Sequence, residues 1–291
     1  MISLRLRTKI SEKELASKKG KILTENDYNV LLTRSAKLLK PDGSLLCIYL
    51  PSAVRAEMQS SYSMLTKIRM KSDNRGLASG TKRINAGGTR TRAMPIYSAI
   101  LGSLDPTPRR PYCRLNSYSR EHVERWESLF PLLGKIDANF AEYAPDRYAA
   151  QRKFAERTHE DWLVPDTAFT TITVNNTYST GVHTDKGDLD EGFSCLAVSR
   201  NGDYQGGCLA FPEYRVAVDM QDGDLILMDA HEWHGNTAMF CRCGNQLKEG
   251  PCDTCEAERI SVVCYYRTNM KECGSKPDED QKMHEKAESH A

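Results

Sequence analysis

The most informative run of this 291-residue sequence is Tyr178-Ser-Thr-Gly-Val-His183-Thr-Asp185, and its counterpart further along is His231-Glu-Trp-His234-Gly235-Asn236. Successive side chains of an extended strand point to opposite faces, so His183 and Asp185 share a face and can reach one point in space. A histidine that returns from a later strand can join them there. We therefore expect a β-rich fold that brings these two distant runs together.

Short β-rich segments surround both runs. Turn signals separate them, among them Asn201-Gly202-Asp203 and Asp222-Gly223-Asp224. Several short strands at this spacing are typical of a sandwich or a jelly-roll barrel. The segments predicted to be strands are 170–174, 194–198, 208–211, 214–218, 224–228 and 260–266.

Helical patterns dominate the first half of the chain. Residues 24–40 begin with Thr24 and Asp27 in the spacing of a capping box, and an apolar stripe follows. Residues 52–70 and 119–157 also have helical periodicity, whereas 45–50 is predicted to be a strand. The expected fold class is α+β, with a double-stranded β-helix (jelly roll) core padded by N-terminal helices.

The composition fits a globular protein that works inside the cell. Hydrophobic residues make up 40% and charged residues 27% of the sequence. No apolar run approaches the roughly 18 residues that span a bilayer, and the first ten residues do not resemble a signal peptide. We expect no membrane partner and an intracellular location, cytoplasmic or nuclear depending on the host.

Two histidines and one carboxylate on a common face suit iron(II), because three coordination positions stay open for a co-substrate and dioxygen. A lone His-x-Asp is common and is usually a surface turn. Here His234 follows Asp185 by 49 residues, after four predicted strands, where a jelly roll returns. His231 is the rival, but no glycine follows it, and it is expected to face the other way.

A candidate co-substrate site lies near the last predicted strand. Arg259 precedes this strand, and Ser261 follows two residues later. A guanidinium offers a planar fork to a carboxylate, so this pair suits the distal carboxylate of 2-oxoglutarate.

Three parts of the sequence resemble the TET/JBP family of iron(II)- and 2-oxoglutarate-dependent dioxygenases. They are residues 171–188, residues 216–236 and Arg259-Ile260-Ser261, with a weaker echo at Asn74-Arg75-Gly76. The resemblance covers residues 165–268.

This resemblance implies an enzyme in which His183, Asp185 and His234 bind iron, while Arg259 and Ser261 bind 2-oxoglutarate. Family members oxidise the 5-methyl group of a pyrimidine in DNA, and the base must leave the stack to reach the metal. We expect hydroxylation of 5-methylcytosine, because that branch is the closer overall match. Thymine, giving 5-hydroxymethyluracil, is the alternative.

Asp188 lies three residues beyond Asp185, where the resembling enzymes read the flipped base. Its carboxylate can accept a hydrogen bond from the 4-amino group of cytosine or from N3–H of thymine, so it does not separate the two bases. Capping a turn in Lys186-Gly187-Asp188 is the alternative role.

Residues 67–110 hold ten lysines and arginines against two acids, although the whole chain has a net charge of +1. This segment, with Arg90 and Arg92, is predicted to contact DNA phosphates. A solvated face or flexible loop is the alternative.

The expected domains are a helical, basic, DNA-facing region at 1–110, a jelly-roll core at 111–270, and a tail at 271–291. That tail lacks Val, Ile, Leu and aromatic residues and is predicted to be disordered.

A cysteine-rich insertion at 241–255 interrupts the core. It contains two close pairs separated by eight residues, and four thiolates so spaced can bind one structural zinc. Disulfides or four loose thiols are the alternatives. The cysteines of the insertion are Cys241, Cys243, Cys252 and Cys255; those expected in the core or the tail are Cys47, Cys113, Cys195, Cys208, Cys264 and Cys273.

Two other functions are compatible with these patterns. The first is a 2-oxoglutarate oxygenase that acts on a protein or a small molecule, for which the basic segment would be dispensable. The second is a non-catalytic jelly-roll reader of modified DNA. The complete set of His183, Asp185, His234 and Arg259 argues against a reader, which has no need for an oxygenase site.

Overall fold

The computed structural model describes residues 1–72, 75, 78, 96–248 and 250–289. About half of the basic segment, including the predicted DNA contacts Arg90 and Arg92, lies outside these described residues. So do Asn74 and Gly76. Within the described part of the chain, no helix has the length and apolar character needed to cross a membrane.

Short strands alternate with helices along the described chain. The strands are β1 (Ile2–Arg5), β2 (Val30–Leu32), β3 (Ala36–Leu39), β4 (Leu45–Leu50), β5 (Lys71–Ser72), β6 (Ile96–Leu104), β7 (Arg114–Leu115), β8 (Thr171–Asn176), β9 (Ser194–Asn201), β10 (Tyr204–Gly206), β11 (Leu209–Phe211), β12 (Val216–Val218), β13 (Leu225–Met228), β14 (Gly235–Asn236), β15 (Met239–Cys241), β16 (Gln246–Leu247) and β17 (Glu258–Tyr265). The helices are α1 (Glu12–Lys18), α2 (Arg55–Leu65), α3 (Ser117–Glu121), α4 (Val123–Glu127), α5 (Phe130–Tyr143), α6 (Pro145–Ala155) and α7 (Lys276–Glu288).

Two sheets form the core. Among the described residues, the major sheet has the strand order β1-β3-β4-β13-β9-β17-β8-β6-β5, with β7 paired to β6. The smaller sheet has the order β14-β11-β12-β2. Apolar side chains of the two sheets pack together, for example Leu196 and Met228 of the major sheet with Leu209 and Phe211 of the smaller one. This arrangement confirms the predicted jelly-roll core.

Period-two alternation gives the major sheet two different faces. In β17, Ile260, Val262 and Cys264 are buried in the core that also contains Met58 of α2 and Phe140 of α5. The residues between them point to the opposite face, towards the smaller sheet. Helices therefore cover one face of the major sheet, as predicted, and the other face is left to line a site.

Most predicted elements are confirmed, but the predicted helix at 24–40 is wrong. Thr24 and Asp27 do form a capping box, which starts only the short 3-10 helix Glu25–Asp27. The chain then enters β2, which pairs with β12, and β3, which pairs with β4. Strand pairing with distant parts of the chain overrides the local helical pattern.

The structure adds detail to two of the predicted regions, whose division stays a prediction. Strands from residues 1–110 belong to both core sheets, so this region contributes to the core. In place of the predicted disordered tail, α7 begins at a capping box formed by Ser275 and Asp278.

Contacts other than apolar burial order this tail. A disulfide joins Cys113 to Cys273. The buried Glu279 carboxylate accepts N–H groups of Cys113 at 2.6 Å and Gly274 at 2.9 Å. Trp162 Nε1 donates to the Gly274 carbonyl at 2.7 Å. The composition of the tail carries no sign of these contacts, because they involve one disulfide and one buried carboxylate.

Candidate active site

A short backbone bridge brings the two histidine-containing runs together. His183 N donates to the His234 carbonyl at 2.9 Å, and His234 N donates back at 3.0 Å. Next to this bridge, a Cβ on Gly235 would lie 3.1 Å from both Cα and N of Val182. Glycine at position 235 therefore permits the close approach of the two chain segments.

The side chains of His183, Asp185 and His234 converge. Their metal-binding atoms all lie within 4.8 Å of one another. Asp185 Oδ1 is 3.5 Å from His183 Nε2, and Asp185 Oδ2 is 3.9 Å from His234 Nε2. One metal ion could be held by two imidazole nitrogens and one carboxylate oxygen.

Backbone carbonyls fix the orientation of both imidazole rings. His183 Nδ1 is 2.7 Å from the Gly181 carbonyl, and His234 Nδ1 is 2.9 Å from the Glu232 carbonyl. A carbonyl only accepts hydrogen bonds, so each Nδ1 carries the proton and donates. Each Nε2 is then left with a lone pair directed at the common point, as in metal-binding histidines.

Burial and charge prepare these groups for a cation. Burial, helped by nearby His183, lowers the pKa of His234 to about 4, so this imidazole is neutral at pH 7. Burial opposes protonation of His183, but the hydrogen bond and charge of Asp185 outweigh it and raise the pKa of His183. Burial alone would raise the pKa of Asp185, whereas its contact with His183 and the charge of His234 hold that pKa below its ordinary value.

A cavity of about 710 Å³ opens over these three side chains. The residues that line it come from both core sheets and from the N-terminal segment. They are Lys19, Arg75, Ala78, Ser98, Thr173, Asn175, Tyr178, Thr180, His183, Thr184, Asp185, Lys186, Asp188, Leu196, Leu209, Met228, Trp233, His234, Asn236, Arg259, Ser261, Val263, Tyr265 and Arg267.

Arg259 is a buried cation in the wall of this cavity. It is 5% exposed, and burial lowers the pKa of its guanidinium. Its Nη2 has no hydrogen-bond partner among the described residues. Thr177 fixes its backbone, since Arg259 N donates to Thr177 Oγ1 at 3.0 Å and the Arg259 carbonyl accepts from Thr177 N at 2.7 Å. A buried, unpaired guanidinium nitrogen is costly unless an anion binds it, so this wall fits a carboxylate ligand.

Arg75 adds a second, half-buried cation. Its Nε and Nη2 also have no hydrogen-bond partner in the described part of the chain. Its charge acts on Asp185, Tyr178 and Tyr265, which line the same cavity. Two arginines with unpaired donors make the cavity suited to an anionic small molecule such as a dicarboxylate.

Asp188 lies three residues beyond Asp185 and is half-buried. Ser194 Oγ donates to Asp188 Oδ2 at 2.7 Å. Burial and the charge of Asp185 raise the pKa of Asp188 to about 7. The backbone of Asp188 also pairs with Arg267, whose Nε donates to Asp105 Oδ1 at 2.6 Å. The Asp188 carboxylate, which can accept a hydrogen bond, and the Arg267 guanidinium, which Asp105 holds in place, therefore both line the cavity.

His231 is outside the converging group. Its Nε2 lies 3.0 Å from Asp190 Oδ1, and its Nδ1 lies 3.3 Å from Asp229 Oδ1. The structure thus brings together the three side chains named from the sequence and leaves the rival histidine with two other carboxylates.

A second cluster contains Cys241, Cys243, Cys252 and Cys255, whose sulfur atoms all lie within 4.8 Å of one another. All four are free thiols, and the Sγ atoms of Cys241 and Cys252 are 3.6 Å apart. Hydrogen bonds from the backbone N–H groups of Thr254 and Cys255 lower the pKa of Cys252 to about 6. Four converging sulfurs, one of them already acidic, could hold a metal ion.

Sequence reasoning missed several cavity residues on the last strand and directly after it. Val263, Tyr265 and Arg267 line the cavity together with Arg259 and Ser261. They follow Arg259 at every second position, so period-two alternation alone could have identified them. Arg75 has a weaker signal, since the sequence marks it only as part of the basic segment and of the motif echo.

The jelly roll, the His-x-Asp and histidine group, and the buried arginine together define a class, the jelly-roll oxygenases that use iron and 2-oxoglutarate. Residues 104–268 match the Tet_JBP family, described as the oxygenase domain of the 2OGFeDO superfamily. That match covers more than half of the sequence. The chain belongs to the TET/JBP family, whose members require iron(II) and 2-oxoglutarate.

Individual relatives are similar over part of their length. The thymine dioxygenase JBP1 of Trypanosoma brucei brucei is 35% identical over 195 residues, which is 61% of this chain and 21% of that protein. The bifunctional helicase and thymine dioxygenase JBP2 of the same organism (strain 927/4 GUTat10.1) is 30% identical over 264 residues, 87% of this chain and 21% of that protein. The chain thus spans about a fifth of the length of the curated relatives it matches.

A solved structure, NgTET1 in complex with 5mC DNA, has the same fold. Its TM-score is 0.57 at 13% sequence identity, and the alignment covers 95% of this chain and 99% of that one. At this identity the likeness concerns the fold alone.

Proposed function

We propose that the chain hydroxylates the 5-methyl group of a pyrimidine base in DNA. The observation that carries this proposal is the convergence of His183, Asp185 and His234 beside the unpaired guanidinium of Arg259 in one cavity. These three side chains would hold iron(II). Bound iron and 2-oxoglutarate supply the oxidising chemistry, and the protein supplies binding, orientation and electrostatics.

In this proposal Arg259 and Ser261 bind the distal carboxylate of 2-oxoglutarate. The unpaired Nη2 of Arg259 gives the guanidinium a free donor, and the hydroxyl of Ser261 lies on the same face of β17. The burial of Arg259 supports this role, because a charge-assisted hydrogen bond is strongest where water is excluded.

DNA is the proposed substrate, bound with one base flipped into the cavity. A cavity of about 710 Å³ falls within the range of pockets that enclose small ligands. Lys19 and Lys186 line it, so cations are available for phosphates near the opening. The proposed contacts of Arg90 and Arg92 lie outside the described residues. We propose Asp188 as the group that accepts a hydrogen bond from the flipped base.

Two bases carry the required methyl group. 5-Methylcytosine is the base expected from the family resemblance, and we retain it as a proposal. Thymine is a second candidate that the named relatives favour, since those at 30% and 35% identity are thymine dioxygenases. The experiment below therefore offers both bases in the same reaction.

We also propose a structural zinc ion bound by Cys241, Cys243, Cys252 and Cys255. A tetrahedral zinc with Zn–S bonds of about 2.3 Å places its sulfur ligands about 3.8 Å apart. The observed 3.6 Å between Cys241 Sγ and Cys252 Sγ supports this geometry. Four thiolates leave no open coordination position, so this ion has no catalytic role.

Nucleoside mass spectrometry tests the proposed function. Purified protein is incubated with iron(II), 2-oxoglutarate and DNA that contains both 5-methylcytosine and thymine. An oxidised base that disappears in His183→Ala and Asp185→Ala is the expected result, and its identity decides between the two bases. Turnover of 2-oxoglutarate without any oxidised base would contradict a DNA substrate, and absence of iron-dependent succinate would point to a non-catalytic reader.

Charge reversal tests the DNA contact separately. Arg90→Glu with Arg92→Glu should abolish activity on DNA while leaving uncoupled 2-oxoglutarate turnover in place. Arg7→Glu with Arg34→Glu is the matched control, because these arginines are exposed and do not line the cavity. Equal activity of the two double variants on DNA would indicate that the basic segment is a solvated loop that does not contact DNA.

A further inference from the structure

The cysteine cluster belongs to a small, separate apolar core. Its buried residues are Tyr204, Met239, Cys241, Leu247, Cys252 and Ala257. They lie on and beside the sheet β10-β15-β16, whose strands have three, three and two residues. In isolation, a sheet and core of this size would be only marginally stable, and small domains commonly use a metal as a cross-link.

This small core is in contact with the side chain of Arg259. The contact runs through Gly207, which has φ of +72°. A Cβ at that glycine would lie 2.9 Å from Met239 Sδ and 3.4 Å from Arg259 Cδ. Met239 and the stem of Arg259 thus both pack against Gly207. Tyr204 is also close enough to act on the charge of Arg259, and its hydroxyl is buried without a partner among the described residues.

The four cysteines lie beside the two strands that carry Met239 and Arg259. Cys241 ends β15, which begins at Met239. On the other side, Cys252 N donates to the Ala257 carbonyl at 3.0 Å, and Glu256 N donates to the Cys252 carbonyl at 2.8 Å. These bonds close a turn directly before β17, where Arg259 is the second residue. One ion bound by all four sulfurs would therefore tie the Met239 strand to the Arg259 strand.

We infer that the four-cysteine zinc site is a positioning device for Arg259 and thereby sets the affinity for 2-oxoglutarate. The backbone of Arg259 is held by Thr177 without any zinc. Its guanidinium, in contrast, depends on the wall that Gly207, Met239 and Tyr204 form along its stem. Without the ion, Met239 and Tyr204 are no longer held against Arg259. The guanidinium then samples orientations that do not face the co-substrate. This inference rests on the proposed zinc site and on the proposed role of Arg259.

Two other roles for the cluster predict different kinetics. An ion that only stabilises the fold lowers the amount of active enzyme, which reduces kcat without changing KM for the co-substrate. An ion that shapes the DNA-binding surface raises KM for DNA. The inference predicts a rise in KM for the co-substrate alone, because Arg259 acts on that ligand.

The test uses the full chain purified with its zinc. Cys243→Ser removes one ligand at the exposed sulfur, and Cys243→His supplies another zinc ligand at the same position. Met239→Ala keeps all four sulfurs but removes the side chain that packs against Gly207. Arg259→Lys shows the effect of losing the guanidinium itself. The measurements on each variant are its zinc content, its kcat, and its KM values for the co-substrate and for DNA.

Cys243→Ser is expected to lose zinc and to raise KM for the co-substrate about tenfold, the effect of one misplaced charged hydrogen bond. Its KM for DNA and its kcat at saturating 2-oxoglutarate should stay within about twofold of the parent. Cys243→His should restore both zinc and KM. Met239→Ala should keep its zinc and still raise KM for the co-substrate.

Several outcomes would overturn the inference. They are a parent protein without zinc, a zinc-free Cys243→Ser with unchanged KM for the co-substrate, or an effect on KM for DNA alone. If Cys243→Ser does not fold, Met239→Ala decides, and an unchanged KM in that variant rejects the inference. An unchanged KM in Arg259→Lys would instead reject the proposed role of Arg259, so the two failures are distinguishable.

Discussion

At the scale of single residues, the candidate metal site depends on protons held at defined atoms. Two backbone carbonyls keep the Nδ1 protons of His183 and His234, so both Nε2 atoms face Asp185. The sequence could predict these three side chains from strand alternation and spacing. It could not predict the carbonyl partners, because these depend on how the chain turns at Gly181 and Glu232.

The raised pKa of His183 leads to a prediction for metal binding. His183 must lose its proton before Nε2 can bind a cation, so protons and metal compete. We expect the affinity for Mn²⁺, a redox-stable probe, to fall about tenfold per pH unit once His183 is protonated in the metal-free protein. Isothermal titration between pH 5.5 and 8 measures this effect, and an affinity independent of pH would contradict it.

The pKa of Asp188 leads to a prediction for stability. A carboxyl group whose pKa is raised to about 7 in the folded state, from 3.8, binds protons more tightly when folded. Its contribution to stability therefore becomes less favourable as pH rises from about 4 to about 7, and stays constant above. Asp188→Asn removes this penalty, so the metal-free variant should melt a few degrees higher than the parent at pH 8, on the order expected for small stability changes.

The pH dependence provides the internal control for Asp188→Asn. The difference in melting temperature between variant and parent should shrink at pH 5, where the parent carboxyl is already protonated in the folded state. Glu191→Gln, at an exposed position nearby, should show no such trend. A difference that is the same at both pH values would contradict the raised pKa.

At the scale of elements, β14 holds His234, the residue directly before it, next to His183. The first residue of β14 is Gly235, which has no side chain to obstruct this approach. The predicted strands from 170 onward are confirmed because alternation and turn residues are local signals. The predicted helix at 24–40 is wrong because β2 pairs with the distant β12, and β3 pairs with β1 as well as with its neighbour β4. A local sequence window contains neither β12 nor β1. For the same reason, the sequence could predict that the runs containing His183 and His234 meet, but not that these two residues pair through their backbones.

Gly235→Ala tests the close approach at β14. A Cβ there would lie 3.1 Å from Val182 Cα and N, so the backbone next to His183 must move. We expect the affinity for Mn²⁺ to fall about tenfold or more, since ligand geometry is lost. Gly134→Ala in α5 is the matched control, because nothing lies within 4 Å of its Cβ. That control should stabilise the protein by about 0.5–1 kcal/mol and leave metal affinity unchanged. Normal metal binding by Gly235→Ala would reject the argument.

At the scale of the whole molecule, a disulfide and a buried carboxylate connect the end of the chain to its middle. Cys113 and Cys273 are 160 residues apart in sequence. The segment between them contains His183, Asp185, His234 and Arg259. Cysteine spacing does not identify this pair, because each partner stands alone in the sequence.

Removal of the disulfide should destabilise the fold without abolishing metal binding. A cross-link restricts the unfolded chain, and native disulfides typically contribute about 2–4 kcal/mol. Cys113→Ser with Cys273→Ser should therefore lower the melting temperature of the parent under non-reducing conditions. The parent should melt lower with a phosphine reductant, whereas the double variant should not respond. An identical melting temperature of parent and double variant would contradict a stabilising disulfide.

The shared sheets have a consequence for anyone who dissects this protein. The stretch that carries the family signature, residues 104–268, omits β1 to β5 and nearly all of β6. In a fragment limited to that stretch, the edge of β13 that now pairs with β4 would be exposed in the major sheet. The edge of β12 that now pairs with β2 would be exposed in the smaller sheet. Open strand edges of this kind invite aggregation. The stretch that matches the family is therefore shorter than the stretch that must fold together. We expect a fragment trimmed to residues 104–268 to aggregate in inclusion bodies and to lack enzymatic activity.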